Sequence, residues 1–162
     1  MRKAFNKSLL ILCCLLPLTV YAQQEGVVLG GVEQVYLPTL KFKALARIDT
    51  GAATSSLDAR NIELTRLDGE DWVSFSLPNQ NGQAYRYPLV RIARVRQAAS
   101  SEPQLRPVIK LPIHLAGQLH EAEFSLTNRS HLNYPLLIGR SVLINLNALV
   151  DVNQQYLWPL AD

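Results

Sequence analysis

Apolar and β-branched residues along this chain fall in short runs broken by turn-forming residues, the pattern of a closed or packed all-β domain. Residues 27–36 form the first expected strand, and residues 44–48 form a second that runs into Asp49. Residues 72–77 (Trp-Val-Ser-Phe-Ser-Leu) alternate at period two, the spacing of a strand with one buried face. Asn79-Gln80-Asn81-Gly82 then turns the chain into residues 85–95, which read as the returning strand of a hairpin. Residues 97–105 are small and polar, and they separate that strand from another at 107–115. The expectation is a long hairpin with a mobile tip. Ala116-Gly117-Gln118 turns the chain again into residues 120–126. Residues 135–139 read as a buried strand, 140–147 as the one short helix, and 149–152 with 156–158 as a closing hairpin.

The first 22 residues follow a different rule. Arg2, Lys3 and Lys7 precede a short apolar run, Leu9 to Leu16, that Pro17 breaks, and Val20-Tyr21-Ala22 has the form of a signal-peptidase site. The run is too short for a comfortable permanent span. Residues 1–22 are therefore expected to be a cleaved secretory signal, leaving 23–162 as one domain in the periplasm or outside the cell. An uncleaved membrane anchor is the alternative. Cys13 and Cys14 lie within the apolar run, so lipid attachment at a cleavage point is disfavoured.

Removing the signal changes the charge and the redox chemistry. Three of the 16 basic residues leave with it and none of the 13 acids does, so the mature part is balanced. The basicity of the whole chain then gives no reason to expect a nucleic-acid partner. Both cysteines leave too, so the mature domain has no disulfide and no thiolate metal site, and its stability rests on an ordinary core.

The candidate chemistry centres on Asp49-Thr50-Gly51-Ala52, placed where an apolar strand ends. Alone, the triplet also suits a simple turn. A catalytic reading gives each residue a role: Asp49 the carboxylate, Thr50 a hydroxyl to lock the loop, and Gly51 a position without Cβ where a second backbone can approach. Ala52 is small enough to lie beside a substrate strand. Two carboxylates at close range cannot both ionise, so they share a proton and divide the roles of base and acid. The chain has one Asp-Thr-Gly, so a pair requires two copies about a two-fold axis.

A second motif joins the first. Leu137-Ile138-Gly139-Arg140 is a pair of apolar residues, a glycine and the start of a helix. With Asp49-Thr50-Gly51-Ala52 ahead of it, the sequence resembles the retropepsin-like aspartic proteases. A narrower resemblance rests on Ile48 to Ala59, Arg106-Pro107-Val108-Ile109, Glu123 to Ser130, and Tyr134 to Arg140. These look like a bacterial retropepsin-like family often labelled ATP-dependent zinc proteases, over residues 48–143. The resemblance implies a small closed acid-protease barrel with one short helix after Gly139. Residues 97–105 become a flap, and Leu137, Ile138, Gly139 and Arg140 support the active-site loop from beneath. Kinship with proteins associated with glutamate-adding enzymes implies acidic peptide tails as substrates.

The label's two cofactors have no visible seat. There is no Gly-rich loop ending in Gly-Lys-Ser or Gly-Lys-Thr for phosphates. His114, His120 and His131 lack His-Glu-x-x-His spacing, with a meeting of His114 and His120 across their hairpin as the one alternative. No cofactor and no metal is expected. In viral relatives an acid soon after Asp-Thr-Gly-Ala partners the arginine after the second glycine. Here Ala53 and Thr54 stand there, which leaves Asp58, a chain end or Asp151 to pair with Arg140. Arg106 and Arg129 are the candidates for holding substrate carboxylates.

The expected function is an exported aspartic-type endopeptidase with an Asp49 dyad formed across a homodimer, acting on peptides or proteins. A membrane-protein companion stands among the partners considered. Two other classes compete: a non-catalytic periplasmic peptide-binding or regulatory module, and a zinc-dependent hydrolase.

Overall fold

The computed structural model describes residues 26–78, 80–96 and 102–160. Its strands are β1 (Val28–Gly30), β2 (Val32–Leu37), β3 (Phe42–Ile48), β4 (Ser55–Asp58), β5 (Arg60–Leu67) and β6 (Glu70–Ser76). They continue as β7 (Ala84–Pro88), β8 (Arg91–Val95), β9 (Gln104–Leu115), β10 (Gln118–Thr127), β11 (Leu136–Ile138) and β12 (Leu149–Asp151), with helix α1 at Arg140–Asn145.

Six strands close a barrel in the order β10-β4-β11-β3-β2-β9, with β9 pairing back onto β10 and β8 added outside β9. The all-β barrel expected from the sequence is therefore present, with its short helix directly after Gly139. Alternation along β9 shows how the barrel fills. Leu111, Ile113 and Leu115 are wholly buried, while Lys110 between the runs is exposed. Phe124, Leu126, Leu57, Leu136 and Ile138 meet them in one core. A separate three-stranded sheet, β5-β6-β7, packs against this core through Val73 and Phe75. The Phe75 ring lies 5.8 Å from that of Tyr85 and 6.1 Å from that of Tyr87.

Several boundaries differ from the sequence expectation, each for a local reason. The first strand breaks at Gly31: β1 pairs with β12, whereas β2 enters the barrel. Residues 85–95 are two strands, because the chain leaves the three-stranded sheet after Pro88. The Leu89 N–H goes to the Asp71 carbonyl and the Val90 N–H to the Val108 carbonyl. β4 and β5 were not expected, since Ser55, Ser56 and Asp58 are buried without being apolar. The helix ends at Asn145, ahead of Asn147, whose φ of 49° is left-handed.

The closing hairpin does not form. β12 instead runs parallel to β1, Val28 opposite Leu149. Residues 156–158 cross β2 as a strap, with the Tyr156 N–H on the Val32 carbonyl and the Leu157 and Trp158 N–H groups on the Glu33 carboxylate at 3.3 and 3.1 Å. The base of the expected flap hairpin is present as β8 and β9, with Val95 opposite Gln104. Residues 97–101 of its tip lie outside the described residues, as do residues 1–22 of the expected signal.

Candidate active site

The site forms where β11 lies between β3 and β4, parallel to the first and antiparallel to the second. The loop from Asp49 to Thr54 leaves β3 and must pass around the end of β11 to start β4. Its backbone is therefore bonded across the crossing. The Asp49 N–H donates to the Ile138 carbonyl at 2.9 Å, and the Arg140 N–H to the Ala52 carbonyl at 2.8 Å. Ser141 donates to the Ala53 carbonyl at 3.2 Å, so loop carbonyls satisfy N–H groups that the start of α1 would otherwise leave unpaired. The Gly139 N–H donates to the buried Ser55 Oγ at 3.1 Å.

This crossing explains the second glycine. A Cβ on Gly139 would lie 2.8 Å from the Thr54 carbonyl carbon and 2.9 Å from two carbonyl oxygens, those of Ala52 and Thr54. The close backbone approach expected at Gly51 is thus found at Gly139. At Gly51 a Cβ would meet the Asp49 carboxylate itself, at 3.1 Å.

Asp49 is half-buried, and its Oδ1 accepts the Gly51 N–H at 2.8 Å and the Ala52 N–H at 3.2 Å. Among the described residues Oδ2 takes no hydrogen bond, so the loop holds the carboxylate by one oxygen. The loop is locked from the helix: Arg140 Nη1 donates to the Thr50 carbonyl at 3.0 Å and the Gly51 carbonyl at 2.7 Å. Neither carboxylate expected for Arg140 holds it, and the chain ends lie outside the described residues. Asp58 is taken by Arg60, through both carboxylate oxygens, and by the Arg129 N–H at 2.5 Å. Asp151 accepts from Asn153. The bonds that fix the loop run through the Thr50 carbonyl, not through its hydroxyl as expected.

A cleft of about 550 Å³ opens from Gly51, Ala52 and Thr54 towards β8, β9 and Arg129. Its described lining residues include Arg91, Arg94, Arg96, Arg106 and Arg129 and no acid, and at the rim Arg91 is bonded to Glu123. The structure brings Arg106 and Arg129 together here, with Ala52. Their states differ. Arg129 is 7% exposed, with Nε on the Tyr134 carbonyl and Nη1 on Ser56 Oγ, each at 3.1 Å. Burial pushes its guanidinium below the usual range, Asp58 and Asp49 pull it back, and Arg106 pushes it further down. Arg106 donates through Nε and Nη2 to the neutral Gln104 Oε1 at 3.0 and 2.8 Å, and burial lowers it too. Both guanidinium groups remain charged at any working pH.

Sequence reasoning missed Ser55, Ser56 and Asp58, which hold Gly139 and Arg129, and Arg91 in the cleft wall. Arg91 was within reach of a period-two argument, since residues 91, 93 and 95 share a face. The meeting of His114 and His120 does not occur. His114 is opposite Leu119 and His120 opposite Ile113, so the two rings point to opposite faces. His114 stacks on Tyr36 instead, ring centres 6.0 Å apart. Among the described residues no cluster of three or more His, Cys, Asp or Glu side chains is placed to hold a metal.

Comparison with known proteins agrees with this geometry. A crystal structure of a Legionella pneumophila protein described as having unknown function is similar, with TM-score 0.70 and 29% identity, over 82% of this chain and 98% of that one. Proteins named "Probable alpha-L-glutamate ligase" are 36% identical over 137 residues in Shewanella pealeana and 31% identical over 124 residues in Desulfotalea psychrophila. The chain covers only 29% and 26% of those two proteins, while 80% and 73% of the chain is matched. The family model described as "Retropepsin-like aspartic endopeptidase RimB" matches residues 28–159, nearly all that the structure describes. The chain belongs to the RimB-like family of retropepsin-like aspartic endopeptidases.

Proposed function

We propose that the chain is an exported peptidase that hydrolyses peptide bonds with Asp49 and the Asp49 of a second copy. One observation carries this reading: a half-buried carboxylate held through Oδ1 by two backbone N–H groups, on a loop braced by a backbone crossing, with Oδ2 unbonded. Two such groups about a two-fold axis share one proton. The ionised carboxylate takes a proton from water as the water oxygen attacks the peptide carbonyl carbon. The protonated carboxyl donates to the amide nitrogen as the C–N bond breaks.

A dimer is supported by the surface beside Thr50. The helix and β12 frame a concavity lined by Thr50, Arg140, Leu143, Ile144, Leu149 and Val150, and Ile144 and Leu149 are 73% and 66% exposed there. The five arginines of the cleft support an acidic peptide as substrate, through paired N–H donors. Relatives whose name describes a glutamate ligase fit the same preference. Export rests on the basic, apolar and small-residue pattern of residues 1–22.

The test incubates wild type and Asp49→Asn with a diverse peptide pool that includes polyglutamate, with fragments read by mass spectrometry. Cleavage should fall by about 10²–10⁴-fold in the variant. Fragments of equal yield from both proteins would end the aspartic mechanism, and loss of activity to a chelator would favour the zinc reading.

A further inference from the structure

The arginines of the cleft are not equally available. Arg91 opens β8 opposite Val108, which in turn lies opposite Ser125 of β10. Paired positions share a face, and so do residues two apart on a strand. Arg91, Ala93, Arg106 opposite Ala93, Ser125 and Glu123 therefore look to the same side, that of the cleft. Arg91 reaches diagonally over β9 and donates to a single oxygen, Glu123 Oε2, through Nε at 3.0 Å and Nη2 at 2.7 Å. The same Nη2 donates to Thr54 Oγ1, on the active-site loop, at 3.1 Å. Arg106 and Arg129, by contrast, meet neutral oxygens of Gln104, Ser56 and Tyr134. Asp58, which touches Arg129 through its backbone N–H, is engaged with Arg60.

We infer that Glu123 is a specificity-determining residue: it occupies Arg91 with a carboxylate of the protein's own and so divides the cleft by charge. At the Arg106–Arg129 end a substrate carboxylate finds donors without a bound counter-ion. At the Arg91 end, beside Thr54, it meets the Glu123 carboxylate, which repels it or must be displaced. An uninterrupted acidic run is therefore bound less well than the five arginines alone imply, and a peptide acidic at the first end and neutral at the second is favoured. This rests on the peptidase reading with an acidic substrate.

The test measures binding, by fluorescence anisotropy of labelled peptides of one length: neutral, all-glutamate, and a series with one glutamate moved along the sequence. Wild type, Glu123→Gln, Glu123→Asp and Asp71→Asn are compared. Asp71 lies on the separate three-stranded sheet, so its change alters net charge equally but away from the cleft. In Glu123→Gln the all-glutamate peptide should bind about threefold to fivefold more tightly, the range of a half-exposed ion pair, with the neutral peptide unchanged. Glu123→Asp keeps the charge and should show no such gain, and Asp71→Asn should match wild type. The inference is overturned if Glu123→Gln shifts all peptides equally or none, or if Asp71→Asn gives the same gain. Should wild type bind no acidic peptide better than the neutral one, the acidic-substrate reading falls and takes this inference with it. A single-glutamate series that binds position-dependently but ignores Glu123→Gln overturns the inference alone.

Discussion

Arg106 and Arg129 stand side by side in the cleft, yet their substitution should have opposite signatures. The Arg129 side chain braces two segments, β4 through Ser56 and the loop after β10 through the Tyr134 carbonyl, and its backbone N–H adds a bond to Asp58 at the end of β4. Replacing it strands buried acceptors, and a hydrogen bond to a charged group is worth about 1.5–3 kcal/mol. Arg129→Gln should therefore unfold at clearly lower denaturant concentration, by about 2–4 kcal/mol. Among the described residues Arg106 donates to Gln104 alone, so Arg106→Gln should leave stability within about 0.5 kcal/mol. It should weaken acidic-peptide binding about tenfold, as loss of one charge-assisted contact does. Urea titration with peptide binding on both variants separates the roles. An Arg106 variant as unstable as the Arg129 variant would mean that both are braces.

The strap at 156–158 depends on a buried carboxylate. Glu33 is fully buried, and it accepts N–H groups from Gly30 at 2.6 Å, Leu157 at 3.3 Å and Trp158 at 3.1 Å. Three donors converge on one anion, and the Trp158 indole also donates to the Val28 carbonyl at 2.8 Å. Glu33→Gln turns one acceptor atom into a donor facing N–H groups, and a loss of about 2–3 kcal/mol is expected. The strap should open first. Hydrogen exchange of the amides at 156–158 and of β1 should accelerate more than that of β9 and β10, because among the described residues β1 pairs with β12 alone, outside the barrel sheet. Uniform acceleration over the barrel would show that the strap is not an independent unit.

For the whole molecule the question is assembly. One chain presents one Asp49, and in the proposed mechanism the dyad is completed by a second copy that approaches on the Thr50 side. The exposed Ile144 and Leu149 beside Thr50, with β12 paired among the described residues to β1 alone, make that side apolar. Ile144→Glu places a charge there without touching the core, since Ile144 is 73% exposed. The variant should keep the wild-type melting temperature and shift sedimentation towards the monomer, with dimer dissociation raised about tenfold or more. Peptidase activity should fall with dilution sooner than in wild type. A wild type that stays monomeric at every concentration yet still cleaves would remove the dimer from the mechanism.

Much of this was legible from the chain alone. Period-two alternation marks β6 and β9 because a half-buried strand must alternate, and Asp49-Thr50-Gly51 with Leu137-Ile138-Gly139 marks the crossing because those residue types suit it. What alternation cannot register is a buried polar strand. β4 carries Ser55, Ser56 and Asp58 inward because each has a partner supplied from elsewhere: Gly139, Arg129 and Arg60. Nor does a sequence say which edge a strand chooses. β12 left the expected hairpin for a parallel place beside β1, where Gly30 admits the chain that follows it, a Cβ there lying only 2.6 Å from the Gln154 carbonyl oxygen. The residue types determined that a carboxylate would stand at a strand end in an all-β barrel. Only the folded chain decided what braces it and what occupies Arg91, because those contacts join residues 32 to 90 positions apart, and no local pattern encodes them.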